Sequence, residues 1–170
     1  MRAKFPVTVH LLFLRENQIL LLRRFNTGFE DGNYSVPAGH LDGGETVRMA
    51  AVREAHEEIG VQIDVEKIAF ATVTHRKSDD TLLPLSGTGA GTGERVDFFV
   101  RIEAWQGEPF NAEPEKCDEL RWYDVDALPE NTIPYVRRAI QNYLEDIPFE
   151  EFGWGEADDA HGKRSLRSTC

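Results

Sequence analysis

Cysteine is scarce in this sequence, and the two that occur, Cys117 and Cys170, lie far apart. They do not form the close spacing of a cysteine-ligated metal site, so we expect a reducing, cytoplasmic location. The first residues, MRAKFPVTVH, lack the pattern of a signal peptide. No apolar run approaches the roughly 20 residues needed to span a bilayer, so we expect no membrane partner.

Basic residues are also few, with 19 Lys and Arg against 30 Asp and Glu, a formal net charge of −11. This balance argues against a non-specific grip on nucleic acid or on anionic membranes. A small anionic substrate would need its charge screened, most simply by metal ions. We therefore predict a small-molecule partner, no nucleic acid, and a monomer or homodimer.

The length of 170 residues and the 41% hydrophobic content suit one domain with a single core. Strand-like and helix-like segments alternate, which predicts an α/β or α+β class with a mixed sheet. We predict strands at 5–14, 18–24, 61–75, 95–105 and 120–125, a short extended piece at 34–37, and helices at 45–60 and 133–146.

The predicted domain covers residues 1–149, and the polar stretch 150–170 is predicted to be a disordered tail because it lacks apolar periodicity. The glycine-rich stretch SGTGAGTGE at 86–94 lacks the Gly-Lys-Ser/Thr ending of a P-loop. It is either a flexible connector or a lid over the substrate.

The first predicted helix carries an acidic face. Glu54, Glu57 and Glu58 project together at helical spacing, while Ala55 and Ile59 can pack against the sheet. Neighbouring carboxylates repel unless a cation lies between them, and hard cations such as Mg²⁺ prefer oxygen ligands. The face is either a metal site or a solvated acidic surface. Glycines in the preceding AGHLDGGE loop let the backbone approach an ion or a phosphate, which favours the metal site.

This stretch resembles the Nudix box of the Nudix hydrolases. In order it has Gly39, five residues, Glu45, seven residues, Arg53-Glu54, aliphatic Ala55, one residue, Glu57-Glu58, one residue, Gly60 and aliphatic Val61. The order of predicted elements over residues 5–146 is also similar to the Nudix fold, a mixed sheet sandwiched between helices.

The resemblance implies a metal-dependent hydrolase that cleaves the pyrophosphate of a nucleoside diphosphate derivative. Glu54, Glu57, Glu58 and the carbonyl of Gly39 would bind Mg²⁺ or Mn²⁺, and Glu57 or Glu54 could instead act as general base. Arg53 would orient the carboxylates. Glu45 would fasten the loop to the helix, and Gly60 would end that helix.

Outside the box, the chain is similar to the MutT-type nucleoside triphosphate pyrophosphohydrolases. That similarity implies that Arg24 and Asn131 bind substrate and that Glu119 is a further metal ligand. Each has another interpretation: Arg24 as a strand-end charge, Glu119 as a solvated acid, and Asn131 as a turn or helix-capping residue. His75, at the end of a predicted strand, is a candidate phosphate ligand or a surface residue.

The substrate predicted from this similarity is a nucleoside triphosphate, with or without a modified base, because the ADP-ribose and dinucleotide subfamily markers are missing downstream of the box. The alternatives are ADP-ribose, a nucleotide sugar or a dinucleoside polyphosphate. An alternative of another class is a nucleotide-binding sensor without turnover. Such a sensor would be expected to lose box carboxylates, which this chain retains.

Overall fold

The computed structural model describes residues 4–77 and 93–155. Ten strands, two helices and one short 3₁₀ helix make up the described part of the chain. In chain order they are β1 (Val7–Arg15), β2 (Gln18–Arg24), β3 (Tyr34–Ser35), β4 (Ala38–His40), α1 (Val47–Ile59), β5 (Gln62–Ile63), the 3₁₀ helix (Val65–Lys67), β6 (Ile68–Lys77), β7 (Glu94–Ile102), β8 (Trp105–Gln106), β9 (Cys117–Asp124), α2 (Pro134–Leu144) and β10 (Phe149–Phe152).

Eight strands form one mixed sheet in the order β10-β6-β7-β1-β2-β3, with β4 paired to β1 and β9 to β2. The pairs β1·β7 and β10·β6 are parallel, and the other pairs in this sheet are antiparallel. β5 and β8 form a separate small ladder. The predicted mixed sheet is confirmed.

The two helices lie on opposite faces of the sheet. Successive side chains of a strand point to opposite faces, so the contacts of β1 show which helix covers each face. Val9, Leu11 and Phe13 of β1 join one buried cluster with α1, whereas Leu12 joins a second cluster with α2. The predicted sandwich of a sheet between helices is therefore confirmed.

Both helices begin at residues suited to that position, and α1 also ends at one. The Thr46 side chain caps α1 by accepting from the Met49 N–H at 3.2 Å, and Gly60 ends it with a φ of 68°. Pro134 occupies the first turn of α2, where its missing N–H has no helical partner.

The domain extends beyond the predicted boundary at residue 149. β10 pairs with β6, Phe152 packs into the α2 cluster, and Trp154 Nε1 donates to the His75 carbonyl at 3.1 Å. The predicted tail 150–170 therefore begins with ordered chain, because two aromatic side chains there have partners that a linear pattern does not reveal. Residues 156–170 lie outside the described residues, and so does the 86–92 part of the glycine-rich stretch.

No helix in the described ranges is long and apolar enough to cross a membrane.

Candidate active site

The candidate site forms where β4 crosses the middle of α1. Gly39 of β4 lies against the buried carboxylate of Glu54, and a Cβ at residue 39 would overlap that carboxylate. Only glycine therefore allows the strand and the helix to come this close.

Arg53 ties the glycine loop to the helix. Its guanidinium lies 2.5 Å from Glu54 Oε1, 2.7 Å from Glu45 Oε1 and 3.4 Å from Glu57 Oε2. It also donates to the His40 carbonyl at 3.0 Å. Glu45 in turn accepts from the Asp42 N–H at 2.7 Å. These charge-assisted bonds join the loop, β4 and the acidic helix face into one unit.

Glu58 is the most perturbed acid of the site. Burial raises its pKa to about 8, although the Ala38 N–H, which donates at 2.8 Å, opposes the rise. The charges of Glu54 and Glu113 raise the pKa further, and the charge of Arg24 lowers it. Burial also raises the pKa of Glu54. Both shifts show carboxylates gathered in a poorly solvated place.

Glu113 is a site residue that sequence reasoning missed. Its segment is bonded to the C-terminal end of α1, since Phe110 N–H donates to the Ile59 carbonyl at 3.1 Å and Ala112 N–H to the Glu58 carbonyl at 3.0 Å. The Glu113 carboxylate pairs with Lys116 Nζ at 2.7 Å. Several other acids crowd residues 103–119 without periodicity, so no sequence signal distinguishes Glu113.

Glu119 belongs to a different group. It accepts hydrogen bonds from the hydroxyls of Tyr34 and Tyr123, each at 2.9 Å, and Arg23 lies 3.8 Å away. Glu113, and not Glu119, is therefore among the charges that raise the pKa of Glu54 and of Glu58.

Of the three predicted substrate ligands, Arg24 is the one whose charge lowers the pKa of Glu58. Its side chain donates to the Phe29 carbonyl at 2.7 Å and to Thr27 Oγ1 at 3.0 Å. The Asn131 amide donates to the Gly32 carbonyl at 2.7 Å. That contact gives Asn131 a structural role in holding the loop after β2.

His75 lies on the α1 side of β6, with its ring centroid 5.7 Å from that of Phe5 and 4.8 Å from that of Trp154. The next residue, Arg76, is buried on the opposite face. The structure therefore places His75 in an aromatic contact beside the end of β10.

The donor set fits a hard divalent cation. Glu54, Glu57, Glu58 and Glu113 carry the carboxylate oxygens that such a cation prefers, and Gly39 lies against the Glu54 carboxylate. Within residues 4–77 and 93–155, no group of three His, Cys, Asp or Glu side chains has the arrangement of a metal site. Arg53 pairs with Glu54 and Glu57 instead, and Lys116 pairs with Glu113. Nevertheless, burial and the charges of two other acids raise the pKa of the half-buried Glu58, so a cation would stabilise its charged form.

Known proteins resemble this chain along most of its length. A family model described as NUDIX domain matches residues 4–143. The RNA pyrophosphohydrolase of Wolbachia sp. subsp. Brugia malayi is 25% identical over 147 residues, which cover 84% of this chain and 88% of that protein. The NAD-capped RNA hydrolase NudC of Pseudomonas aeruginosa PAO1 is 30% identical over 137 residues, 81% of this chain but 41% of that protein.

Among solved structures, the MutT NUDIX hydrolase of Burkholderia pseudomallei is similar with a TM-score of 0.66 and 25% identity, covering 82% of this chain and 98% of that one.

Proposed function

Since the chain belongs to the NUDIX domain family, we propose that it hydrolyses a nucleoside triphosphate to the monophosphate and pyrophosphate. The chain is a MutT-like Nudix hydrolase, an enzyme that acts on phosphoric anhydrides. The observation that supports the proposal most is the close approach of Gly39 to the Glu54 carboxylate, together with the charges of Glu54, Glu113 and Arg24 that act on Glu58.

In this mechanism Glu54, Glu57, Glu58, Glu113 and the Gly39 carbonyl would hold Mg²⁺ or Mn²⁺, which would neutralise phosphate charge and make water more acidic. Water attacks a phosphorus of the anhydride, a new P–O bond forms, and the bond to the bridging oxygen breaks. The water proton passes to a carboxylate. Glu57, whose side chain is half exposed, and Glu54, which Arg53 contacts, are the two candidates for this base.

Arg53 and Glu45 act as positioning residues, because they fix the loop and the carboxylates through charge-assisted hydrogen bonds. Arg24 binds a substrate phosphate. The earlier roles of Asn131 and His75 in substrate binding and of Glu119 in metal binding stay predictions, and their contacts in the structure support structural roles instead.

A second candidate substrate is the 5′ end of RNA, because curated relatives carry the names RNA pyrophosphohydrolase and NAD-capped RNA hydrolase. The net charge of −11 argues against a non-specific grip on the rest of such an RNA. ADP-ribose, nucleotide sugars and dinucleoside polyphosphates remain alternatives, as does a sensor without turnover. A cytoplasmic location and a monomeric or homodimeric state stay predictions.

A phosphate-release assay tests the proposal with Mg²⁺ and a panel of triphosphates, ADP-ribose, nucleotide sugars, dinucleoside polyphosphates and 5′-triphosphorylated RNA, with kcat/KM as the measure. We expect a triphosphate to be cleaved best, excess EDTA to stop turnover, and Glu58→Gln to lower kcat by roughly 10² or more. Glu66→Gln, at an exposed acid of the 3₁₀ helix, is the matched control. Full turnover in EDTA would contradict metal dependence, and a tenfold preference for ADP-ribose would contradict the substrate.

A further inference from the structure

The loop between β2 and β3, residues 25–33, is closed by the side chain of Asp31. Its Oδ1 accepts hydrogen bonds from the Thr27 hydroxyl at 2.6 Å and from the Thr27 N–H at 2.9 Å, and its Oδ2 accepts one from the Gly28 N–H at 2.9 Å. These bonds, that of the Thr27 hydroxyl first, lower the pKa of Asp31. The carboxylate is therefore charged at neutral pH and holds the Thr27 side chain in one orientation.

The Thr27 hydroxyl connects Asp31 to Arg24. A hydroxyl has one proton to donate and two lone pairs that accept. Its distance to the charged Asp31 carboxylate, 2.6 Å, is shorter than its 2.9 Å to the neutral Phe29 carbonyl, so the proton goes to Asp31. Thr27 Oγ1 then accepts from Arg24 Nη2 at 3.0 Å, and the Phe29 carbonyl accepts from Arg24 Nε at 2.7 Å. The guanidinium of Arg24 is thus held at two of its nitrogens.

The backbone of the loop is held in a conformation that costs energy. Asn26 and Glu30 have φ values of 54° and 52°, which residues other than glycine rarely adopt. Strain of this kind persists only where surrounding contacts impose it, and it is concentrated at functional sites. The contacts here include the backbone of Arg24, whose N–H donates to the Asn33 carbonyl and whose carbonyl accepts from the Gly32 N–H. The loop therefore surrounds Arg24 through both its backbone and its side chain.

Arg24 keeps its positive charge available in this arrangement. Both acceptors of its side chain are neutral, and its charge lowers the pKa of Glu58 in the candidate active site. A side chain that is already fixed loses less rotamer entropy when a ligand binds, so a preorganised guanidinium binds a phosphate more tightly than a mobile one. We propose that Thr27 and Asp31 are positioning residues, which fix the guanidinium of Arg24 for binding a substrate phosphate. The proposal rests on the proposed function, which assigns that phosphate to Arg24.

The test removes the Thr27 hydroxyl and the Asp31 carboxylate separately. Thr27→Val keeps the shape of the side chain and the backbone N–H, while Thr27→Ser keeps the hydroxyl. Asp31→Ala removes the carboxylate, and its matched control is Asp126→Ala, which removes an exposed carboxylate bonded to Asn17 at 3.1 Å. Calorimetry with Mg²⁺ gives the Kd of an ATP analogue in which methylene groups replace both bridging oxygens of the triphosphate. Steady-state assays give kcat and KM for the triphosphate that is cleaved best.

We expect Thr27→Val and Asp31→Ala to raise Kd and KM by about tenfold with little change in kcat, because a lost hydrogen bond to a charged group affects binding by about this factor. Thr27→Ser and Asp126→Ala should behave like the wild type. In the background of Arg24→Gln, Thr27→Val should have no further effect, since the hydroxyl acts through the guanidinium. That non-additivity separates positioning of Arg24 from a general role in holding the loop together.

Two results would overturn the positioning role even where hydrolysis of the triphosphate stands. One is Kd and KM values unchanged by Thr27→Val, and the other is an equal loss of binding with and without Arg24. If no nucleotide is hydrolysed while Thr27→Val and Arg24→Gln weaken analogue binding without adding up, the proposed function fails and the positioning role stands. Thr27→Val carries the test if Asp31→Ala does not fold.

Discussion

Glu113 and Glu119 have different neighbours, so we expect their substitution to affect kcat differently. The charge of Glu113 raises the pKa of Glu54 and of Glu58, while Glu119 accepts hydrogen bonds from two tyrosines. We therefore expect Glu113→Gln to lower kcat by roughly 10² and Glu119→Gln by only a few-fold. Kinetics with Mg²⁺ and Mn²⁺ titrations of both variants check this. A larger loss of kcat in Glu119→Gln than in Glu113→Gln would indicate that Glu119 is the metal ligand.

Asp97 makes stability depend on pH. Burial by itself would raise its pKa, but the contacts with His10 and Arg76 hold the pKa at about 2. A lowered acid pKa stabilises the fold above the unfolded value, near 4, and this stabilisation is lost as the pH falls from about 4 to 2. We expect the urea-derived free energy of unfolding to fall in that window, and Asp97→Asn to flatten the fall. An identical slope in wild type and variant would contradict the assignment.

At the residue scale, the spacing of Gly39, Glu45, Arg53, Glu54 and Glu58 was enough to predict that they meet. Their spacing along one loop and one helix determines their spacing in the fold. Glu113 could not be predicted in this way, because a hydrogen-bonded segment distant in sequence brings it to α1. Arg76 shows the same limit, since its burial depends on pairing across β6 and β7.

β4 can approach α1 this closely only because residue 39 is a glycine. We expect Gly39→Ala to lower kcat by at least tenfold, because the added methyl overlaps the Glu54 carboxylate and must displace it. Gly43→Ala is the matched control, since a Cβ there meets nothing within 4 Å. Kinetics and thermal unfolding of both variants separate a local displacement from a loss of fold. Equal kcat values in the two variants would show that the close approach is dispensable.

β10 makes the C-terminal chain part of the domain. Its Glu150 pairs with Arg138 at 2.8 Å and accepts from Asn142, and Phe152 packs against the α2 cluster. Ending the chain after residue 148 should therefore lower the free energy of unfolding by about 2 to 4 kcal/mol. Ending it after residue 155 should leave stability and kcat close to those of the full chain. Urea unfolding of the two truncations is the measurement, and equal stability would make β10 dispensable.

At the scale of elements, both helices were predictable, with limits within a few residues of those observed, and so were the strands at 5–14 and 18–24. The predicted strand 61–75 was wrong in part, because residues 65–67 form a 3₁₀ helix between β5 and β6. Thr46, Gly60 and Pro134 carry local signals that act within one turn. The strands β3, β4, β8 and β10 are two to four residues long. Such short strands carry too little periodicity to be predicted from sequence. They are strands because of the neighbouring strands with which they pair.

For the molecule as a whole, the excess of acids predicts that cations stabilise the fold. We expect Mg²⁺ to raise Tm, because a ligand that binds only the native state stabilises it by about 2.7 kcal/mol at 100 times its Kd. Glu58→Gln should reduce the rise and Glu66→Gln should preserve it. Thermal unfolding with and without EDTA checks the prediction. An equal rise in both variants would mean that Mg²⁺ acts through general screening of the net charge of −11.

The parallel pairing of β1 with β7 has a consequence for synthesis of the protein. Val7 lies opposite Val96 and Phe13 opposite Ile102, so β1 has to wait for most of the chain before its pairing with β7 can form. On the ribosome, β1 and β2 emerge early and pair with each other, while the other edge of β1 stays open until β7 has left the exit tunnel. An open strand edge is a template for pairing with the wrong chain. The nascent protein is therefore most exposed to aggregation, and most in need of a chaperone, in the interval between translation of α1 and translation of β7.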